Sequence, residues 1–416
     1  VKRRGTAIVW ASLLGLVAAN SSALAQSVVP PQANTQSDDR RWETIFNSEV
    51  RYFSWTSSQA YPPGPLAPQT RSQGQQVFNP FGLKVVGKPT DDWKIETLVR
   101  GGYVWSRQES GGVVGEYSGF TDTTVGGTAT YNGFNGLQPF ASVNVNMPTG
   151  QTVFRSNATF SKQDSDIVGI PSFGEGWNIG PTVGVNVPLN TSTVFSTGAG
   201  YTVRGPFDRE GLIVGPMQLL QRFDPGDVFT ANASIAYRGD RLSLSASISY
   251  SIESTTTLND IAYYKSGDRV FAAAGIGYAW TDQWASRLTG SFSHFARNKI
   301  LNAFGMPPLV LEAFNTNSDV ATVNFDTIYT QGSFSIGPTV GYLFRDHNGY
   351  SPISFSFLPA KTKWSAGVVS KYAVSEQASF NLRVERMWLH EDAHPFFFPD
   401  VGTDAWLVTL GGILKF

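Results

Sequence analysis

From residue 241 to residue 251 apolar and polar positions alternate without a break. Leu242, Leu244, Ala246, Ile248 and Tyr250 lie on one phase, and Ser243, Ser245, Ser247, Ser249 and Ser251 on the other. A period of two is that of a strand, and an apolar phase set against a hydroxyl phase predicts one dry side and one wet side. Residues 93–106 repeat the pattern, with Trp93, Ile95, Val99, Tyr103 and Trp105 opposed to Lys94, Glu96, Arg100 and Ser106. So do residues 403–416, where Trp406, Val408, Leu410, Gly412, Leu414 and Phe416 oppose Ala405, Thr409, Gly411 and Lys415. Along that last phase aromatics bracket smaller apolar groups, the order of side chains that crosses a bilayer with a ring at each lipid–water boundary.

Between such runs the punctuation is uneven. Short turns are expected at 88–92, 132–136, 190–192, 239–240, 281–283, 345–349 and 375–377, where residues that favour turns cluster. Long connections are expected at 60–74, 150–176, 205–227, 253–267, 297–330 and 391–402; the first carries Pro62, Pro63, Pro65 and Pro68, which cannot donate to a ladder. Short connections at one end and long ones at the other predict an all-β fold, a transmembrane antiparallel up-and-down β-barrel of about 16 strands, the short turns periplasmic. Residues 350–358 read as the weakest strand, so about 14 strands is the alternative count. The first strand is expected to open at Phe46, which assigns residues 46–416 to the barrel.

The start of the chain reads differently. Lys2, Arg3 and Arg4 precede an apolar run over 7–19, and Ala23 and Ala25 form a small-residue cleavage pattern, so residues 1–25 are expected to be a secretory signal peptide. The run is shorter than the roughly 20 residues a membrane helix needs. Residues 26–45, with Pro30, Pro31, Asp38 and Asp39, are expected to be a periplasmic lead-in. Three of the 31 Lys+Arg leave with such a peptide, taking the formal charge from −1 to −4, a balance that does not suggest a nucleic-acid partner. With 42 glycines, 13% aromatic and only 15% charged residues, the chain is rich in strand formers, yet its mean hydropathy is −0.13. A barrel accommodates this because its lipid and lumen phases cancel in the average. The absence of cysteine rules out disulfides and thiol chemistry.

Residues 119–150, GFTDTTVGGTATYNGFNGLQPFASVNVNMPTG, join a G-x-x-D strand, a Gly-rich return, a short turn and a strand ending in N-x-P-T-G. This resembles the outer-membrane proteins associated with meta-pathway phenol degradation, and FSTGAGYTVRG at 195–205 resembles the Gly-Tyr strand of the same family. The resemblance implies an outer-membrane channel for aromatic compounds and brings no catalytic residues. The final strand resembles the closing strand of bacterial outer-membrane barrels, which implies that Trp406 and Phe416 belong to the signal read by the barrel-insertion machinery. The implied partners are outer-membrane lipid, that machinery and a small-molecule solute.

Candidate chemistry is thin. His390 and His394, in H-E-D-A-H, offer metal-binding side chains with Glu391 and Asp392, but no helix sets them on one face, and a hydrated loop is the expectation. His294 lies on an apolar phase, with no particular serine selected as its partner, and Asp164 with Asp166 reads as loop charge. No enzyme, cofactor or metal is predicted. The wet phase is richer: Arg51, Lys84, Lys94, Arg100, Arg204, Arg287, Lys371 and Arg383 are expected to line a pore with Glu49, Glu96, Asp122 and Glu385. Such a set either favours anions or pairs across neighbouring strands and fills the lumen. Residues 151–177, with Phe154, Phe160 and Phe173, are apolar for a surface connection and could fold inward as a constriction. The function expected is passive passage of small solutes; the alternative is a structural or surface barrel.

Overall fold

The computed structural model describes residues 42–58, 71–134, 136–154, 156–170, 172–214, 217–302, 305–395 and 399–416. The expected leader and the lead-in up to residue 41 lie outside the described residues. In chain order the strands are β1 (Trp42–Ser57), β2 (Ser72–Gly87), β3 (Trp93–Ser110), β4 (Val113–Phe120), β5 (Thr123–Tyr131), β6 (Gln138–Met147), β7 (Asn178–Pro188), β8 (Thr193–Arg204), β9 (Phe207–Val214), β10 (Met217–Asp224), β11 (Val228–Arg238), β12 (Leu242–Glu253), β13 (Thr256–Leu258), β14 (Ile261–Lys265), β15 (Arg269–Ala279) and β16 (Trp284–Phe295). They continue as β17 (Lys299–Ile300), β18 (Val310–Leu311), β19 (Val320–Gln331), β20 (Phe334–Arg345), β21 (Lys361–Ala373), β22 (Ala378–Glu391) and β23 (Val401–Lys415). A short 3-10 helix, Ser156–Ser161, interrupts the connection between β6 and β7.

Two sheets result. Six short segments, β9, β10, β13, β14, β17 and β18, form one sheet on three of the long connections. The other seventeen form a closed antiparallel wall, because β1 pairs with β2 on one side and with β23 on the other. Closure removes the edges that an open sheet would expose. β4 and β5 lie in succession against β3 and count as one wall position, so the barrel has sixteen strands. Where they meet, Arg100 faces Thr124 and Tyr103 faces Phe120, so three steps along β3 oppose four along its partner. The extra residue is a β-bulge at Thr121 and Asp122.

Most wall strands have one apolar, exposed phase: Val183, Ile248, Val340 and Leu410 are among many that would be costly in water and belong in lipid. Rings mark both boundaries. Trp93 and Tyr131 (5.1 Å) and Trp284 and Tyr329 (5.0 Å) lie beside the short turns, and Tyr103 with Phe120 (5.6 Å) lies towards the long connections. Phe416 is exposed at the short-turn end, its backbone N–H and C=O both bonded to Thr44. Trp406 lies at the other end of the same phase, beside Arg386, which pairs with Asp404 at 2.6 Å.

Three expectations need correction. The first strand opens at Trp42, not Phe46. Residues 320–331, expected inside a long connection, form β19, whose polar Asn324, Asp326 and Thr330 are the wet phase of a wall strand. The turn after it is Gly332-Ser333, with Gly332 at φ +58°, where glycine has no steric penalty. Conversely 345–349 is not a short turn and 350–358 is not a strand: Asn348 bonds to Ser356 and Leu358 and folds the segment into turns between β20 and β21. One strand is lost and one gained, so the count holds. The remaining difference is Gly111-Gly112, at φ +58° and +81°, a tight turn among the long connections.

Candidate functional site

The apolar connection 148–177 lies inside the barrel. Its two ends are tied to one carboxylate: Asp122, on the bulge, accepts from the backbone N–H of Gly150 at 2.9 Å and of Glu175 at 2.7 Å, and from Asn146 Nδ2 at 2.8 Å. Phe154 and Phe173, 1% and 2% exposed, pack on Tyr117 of β4 with ring centroids 5.0 and 4.7 Å away, above Phe78 and Val104 of the wall. Gly115 of β4 permits this closeness, since a Cβ there would overlap the Phe160–Ser161 backbone. Further along, Ile167 and Val168 join Phe53 and Trp55 of β1, Met387 and Leu389 of β22 and Ala405 of β23. Four buried apolar side chains, each contributing roughly 1.5–3 kcal/mol, outweigh any single polar tie as the force that seats the connection.

Polar ties fix where it sits. Gln163 accepts from Trp55 Nε1 at 2.6 Å and donates to Ser106 Oγ at 2.9 Å and to the Gln75 carbonyl at 2.8 Å. Gln76 donates to the Ile170 carbonyl at 3.0 Å, and Ser106 donates to the Ser161 carbonyl at 2.7 Å. On the far side Lys361 pairs with Asp164 at 3.1 Å, Arg345 with Asp166 at 2.8 Å, and Lys363 Nζ donates to the Asp166 carbonyl at 2.6 Å. Burial pushes the Asp164 carboxyl up, but Lys361 and the backbone N–H of Asp166 outweigh it, so it lies below the ordinary carboxylate range. For Asp166 burial wins over Arg345, and its carboxyl lies above that range. The connection thus spans the arc from β20 through β23 and β1 to β4. On the opposite arc the inner phase is mainly small and polar, as in Thr182, Ser196, Ser247, Gly275 and Ser291, with the rings of Phe271 and Phe295 beside Arg269 as exceptions.

All the basic residues expected on the wet phase share the inner face with these buried groups, and most have a carboxylate partner. Arg51 pairs with Glu49, Lys84 and Lys94 with Glu96 at 3.3 and 2.7 Å, Arg204 with Glu253, and Arg383 with Glu385 at 2.7 Å. Arg287 faces Asp326 across the β16–β19 ladder. Arg100, Lys371 and Arg269 have no salt bridge among the described residues, and Lys84 and Lys94 share one carboxylate, so the inner charge left unbalanced is spread around the wall. Sequence reading missed Lys361 and Lys363, although they alternate with Thr362 and Trp364; Arg345 and Asp326 were hidden by the misplaced turn and strand. It also set aside Asp164 and Asp166, whose partners lie almost 200 residues away. Of the three loop aromatics, Phe154 and Phe173 are committed to packing, and only Phe160 is exposed.

The histidines do not converge. His390 points outward near Asp392, whereas His394 is buried and bonded to the Ser354 carbonyl at 3.1 Å. His294 bonds Asp319 at 2.7 Å on the lipid phase, while Ser291 and Ser293 of the same strand point inward. His347 is a solvated ring beside Phe357.

A closed wall with an outward apolar belt, two aromatic boundaries and short turns confined to one end has the architecture of an outer-membrane β-barrel. No family model and no curated relative matches the sequence. Similar solved structures include the CymD monoaromatic hydrocarbon channel, at 11% identity over 91% of this chain and 90% of that one with a TM-score of 0.38. They also include a TodX deltaS2S3 mutant monoaromatic hydrocarbon channel (9%, 90% and 90%, 0.44) and a FadL homologue from Pseudomonas aeruginosa (8%, 90% and 90%, 0.43). At such identities and scores the likeness decides neither family nor solute.

Proposed function

We propose that this chain is a channel of the Gram-negative outer membrane through which small solutes diffuse passively, with aromatic or otherwise hydrophobic compounds as the favoured class. The observation that carries the reading is the asymmetry of the lumen: an inward connection packs on the arc from β20 to β4, and the opposite arc presents small hydroxyl and glycine positions. Sixteen strands spaced about 4.8 Å and tilted about 40° enclose a backbone diameter of about 32 Å, too wide for one folded connection to close. Solutes pass between the connection and the serine-rich arc, where exposed Phe160 and the inward rings of Phe271 and Phe295 offer apolar contact. The solute class is favoured by the resemblance over 119–150 and agrees with the cargo named for the CymD and TodX channels. Selectivity for anions is weak in this reading, because most charges are paired and the unpaired Arg100, Arg269 and Lys371 stand on separate strands. No catalytic role is proposed for any residue.

Liposome swelling tests it. Vesicles carrying the refolded barrel should swell in isosmotic arabinose and faster in a small phenolic solute of matched size. Vesicles that swell no faster than protein-free controls in either solute would instead support a structural barrel.

A further inference from the structure

We propose that Arg345, Lys361 and Lys363 form a binding station for the carboxylate of an amphipathic organic acid, held in this structure by Asp164 and Asp166 of the chain's own inward connection. The proposal rests on the channel reading and adds to it a site and a ligand class.

The three cations share one corner of the inner wall. Arg345 and Lys361 are direct partners in the β20–β21 ladder, and Lys363 lies two residues further along the same inner phase. Where other wall cations are paired, the carboxylate comes from a wall strand, as Arg51 with Glu49 and Arg383 with Glu385 show. Here Glu391 supplies one carboxylate, to Lys361 at 3.0 Å, and the other two come from the connection. A contact made by a connection can be exchanged without unpairing any wall strand.

The stand-in also fits imperfectly. Asp166 reaches Arg345 through Oδ1 and Nη2 only; its Oδ2 and the Arg345 Nε are both buried without a hydrogen-bond partner. Lys363 is satisfied by the Asp166 carbonyl, not by a carboxylate. A buried donor left unmatched costs about 1–3 kcal/mol, and a planar carboxylate free to turn can meet Nε and Nη2 of Arg345 together. An apolar floor adjoins the cations: Leu389 faces Lys363 across the β21–β22 ladder, and Met387, Phe53 and Trp55 extend it beneath Ile167 and Val168. An acid with an aromatic or short alkyl body would place that body where Ile167 and Val168 now lie and its carboxylate where Asp166 now lies.

The probe is 4-phenylbutyrate, titrated calorimetrically into the folded barrel in detergent, with 4-phenylbutylamine as the control. Folding of each variant is read from heat-modifiable mobility. Asp164→Asn with Asp166→Asn removes the competing charges while keeping their shape, and should tighten binding of the acid about tenfold or more without doing so for the amine. Adding Lys361→Met and Lys363→Met should abolish that binding. If the double Asn variant does not fold, Lys363→Met in the otherwise unchanged chain should weaken the acid at least tenfold. Equal acid affinity with and without the aspartates, acid binding indifferent to the lysines, or tightening shared by the amine would each overturn the station. Arabinose swelling of the same preparations separates this from the channel reading: a barrel that passes arabinose and shows no acid station remains a channel.

Discussion

Removing the inward connection should widen the pore without opening the wall. Its entry and exit almost touch, since a Cβ on Gly150 would overlap the Phe173 carbonyl and one on Gly174 would meet the Gly150 backbone. Residues 151–173 can therefore be deleted and the ends joined directly. With a backbone diameter of about 32 Å and about 5 Å of side chain lost on each side, the unobstructed lumen is about 20 Å across. A folded segment about 10 Å thick laid against one arc takes roughly half of that cross-section. Single-channel current in planar bilayers should thus rise about twofold in the deletion, allowing that conductance scales with open area. Losing Phe154, Ile167, Val168 and Phe173 forfeits at most about 6–12 kcal/mol of burial, so the deletion should lose heat-modifiable folding at a lower temperature while the strand ladder persists. An unchanged current in a correctly folded deletion would show that the connection does not narrow the conducting path, and would remove the basis for the asymmetric lumen.

Deleting Phe416 removes a boundary ring and the last ladder bonds to Thr44 and should lower the amount of folded barrel in the outer membrane with little effect on export; undiminished heat-modifiable barrel would contradict a role in insertion. Arg383→Gln strands Glu385, which is 4% exposed, and should cost about 2 kcal/mol after discounting the partly exposed arginine, whereas Arg100→Gln should leave the melting temperature within a degree or two and reduce anion preference in reversal-potential measurements. Cysteine at Asp392, exposed in a long connection, should react with an impermeant thiol reagent on whole cells and cysteine at Asp240 should not; the reverse pattern would invert the barrel. On acidification Asp166, whose carboxyl burial holds above the ordinary range, should take up its proton before Asp164, whose pairing with Lys361 persists until the pH falls below that range; infrared carboxylate bands of the two single Asn variants would show the order.

The wall was legible because its physics is local. Whether Ser247 or Ile248 faces lipid follows from a period of two and from which phase is apolar, and the register then propagates strand by strand. The same rule carries Arg51, Arg100 and Arg383 to the inner phase. It fails where polar residues blur the alternation, as in β19, or where a Pro-flanked apolar run such as 350–358 imitates a strand. It also says nothing of partners. Arg204 meets Glu253 across the intervening strand β11 and Arg345 meets Asp166 through a connection, neither of which has a sequence period.

The inward course of 148–177 nevertheless left a trace in the wall. A lumen phase that meets only water has no use for large apolar groups, and β12 has none, with serine at each inner position from 243 to 251. Strands β1, β2, β3 and β22 break that rule towards their long-connection ends, where Phe53, Trp55, Phe78, Val104, Met387 and Leu389 occupy the inner phase and are buried. Apolar residues on both phases at once require a cover on the wet side, and among the described residues that cover is the connection carrying Phe154, Ile167, Val168 and Phe173. The two anomalies, a wall arc too apolar for a lumen and a connection too apolar for a surface, explain each other.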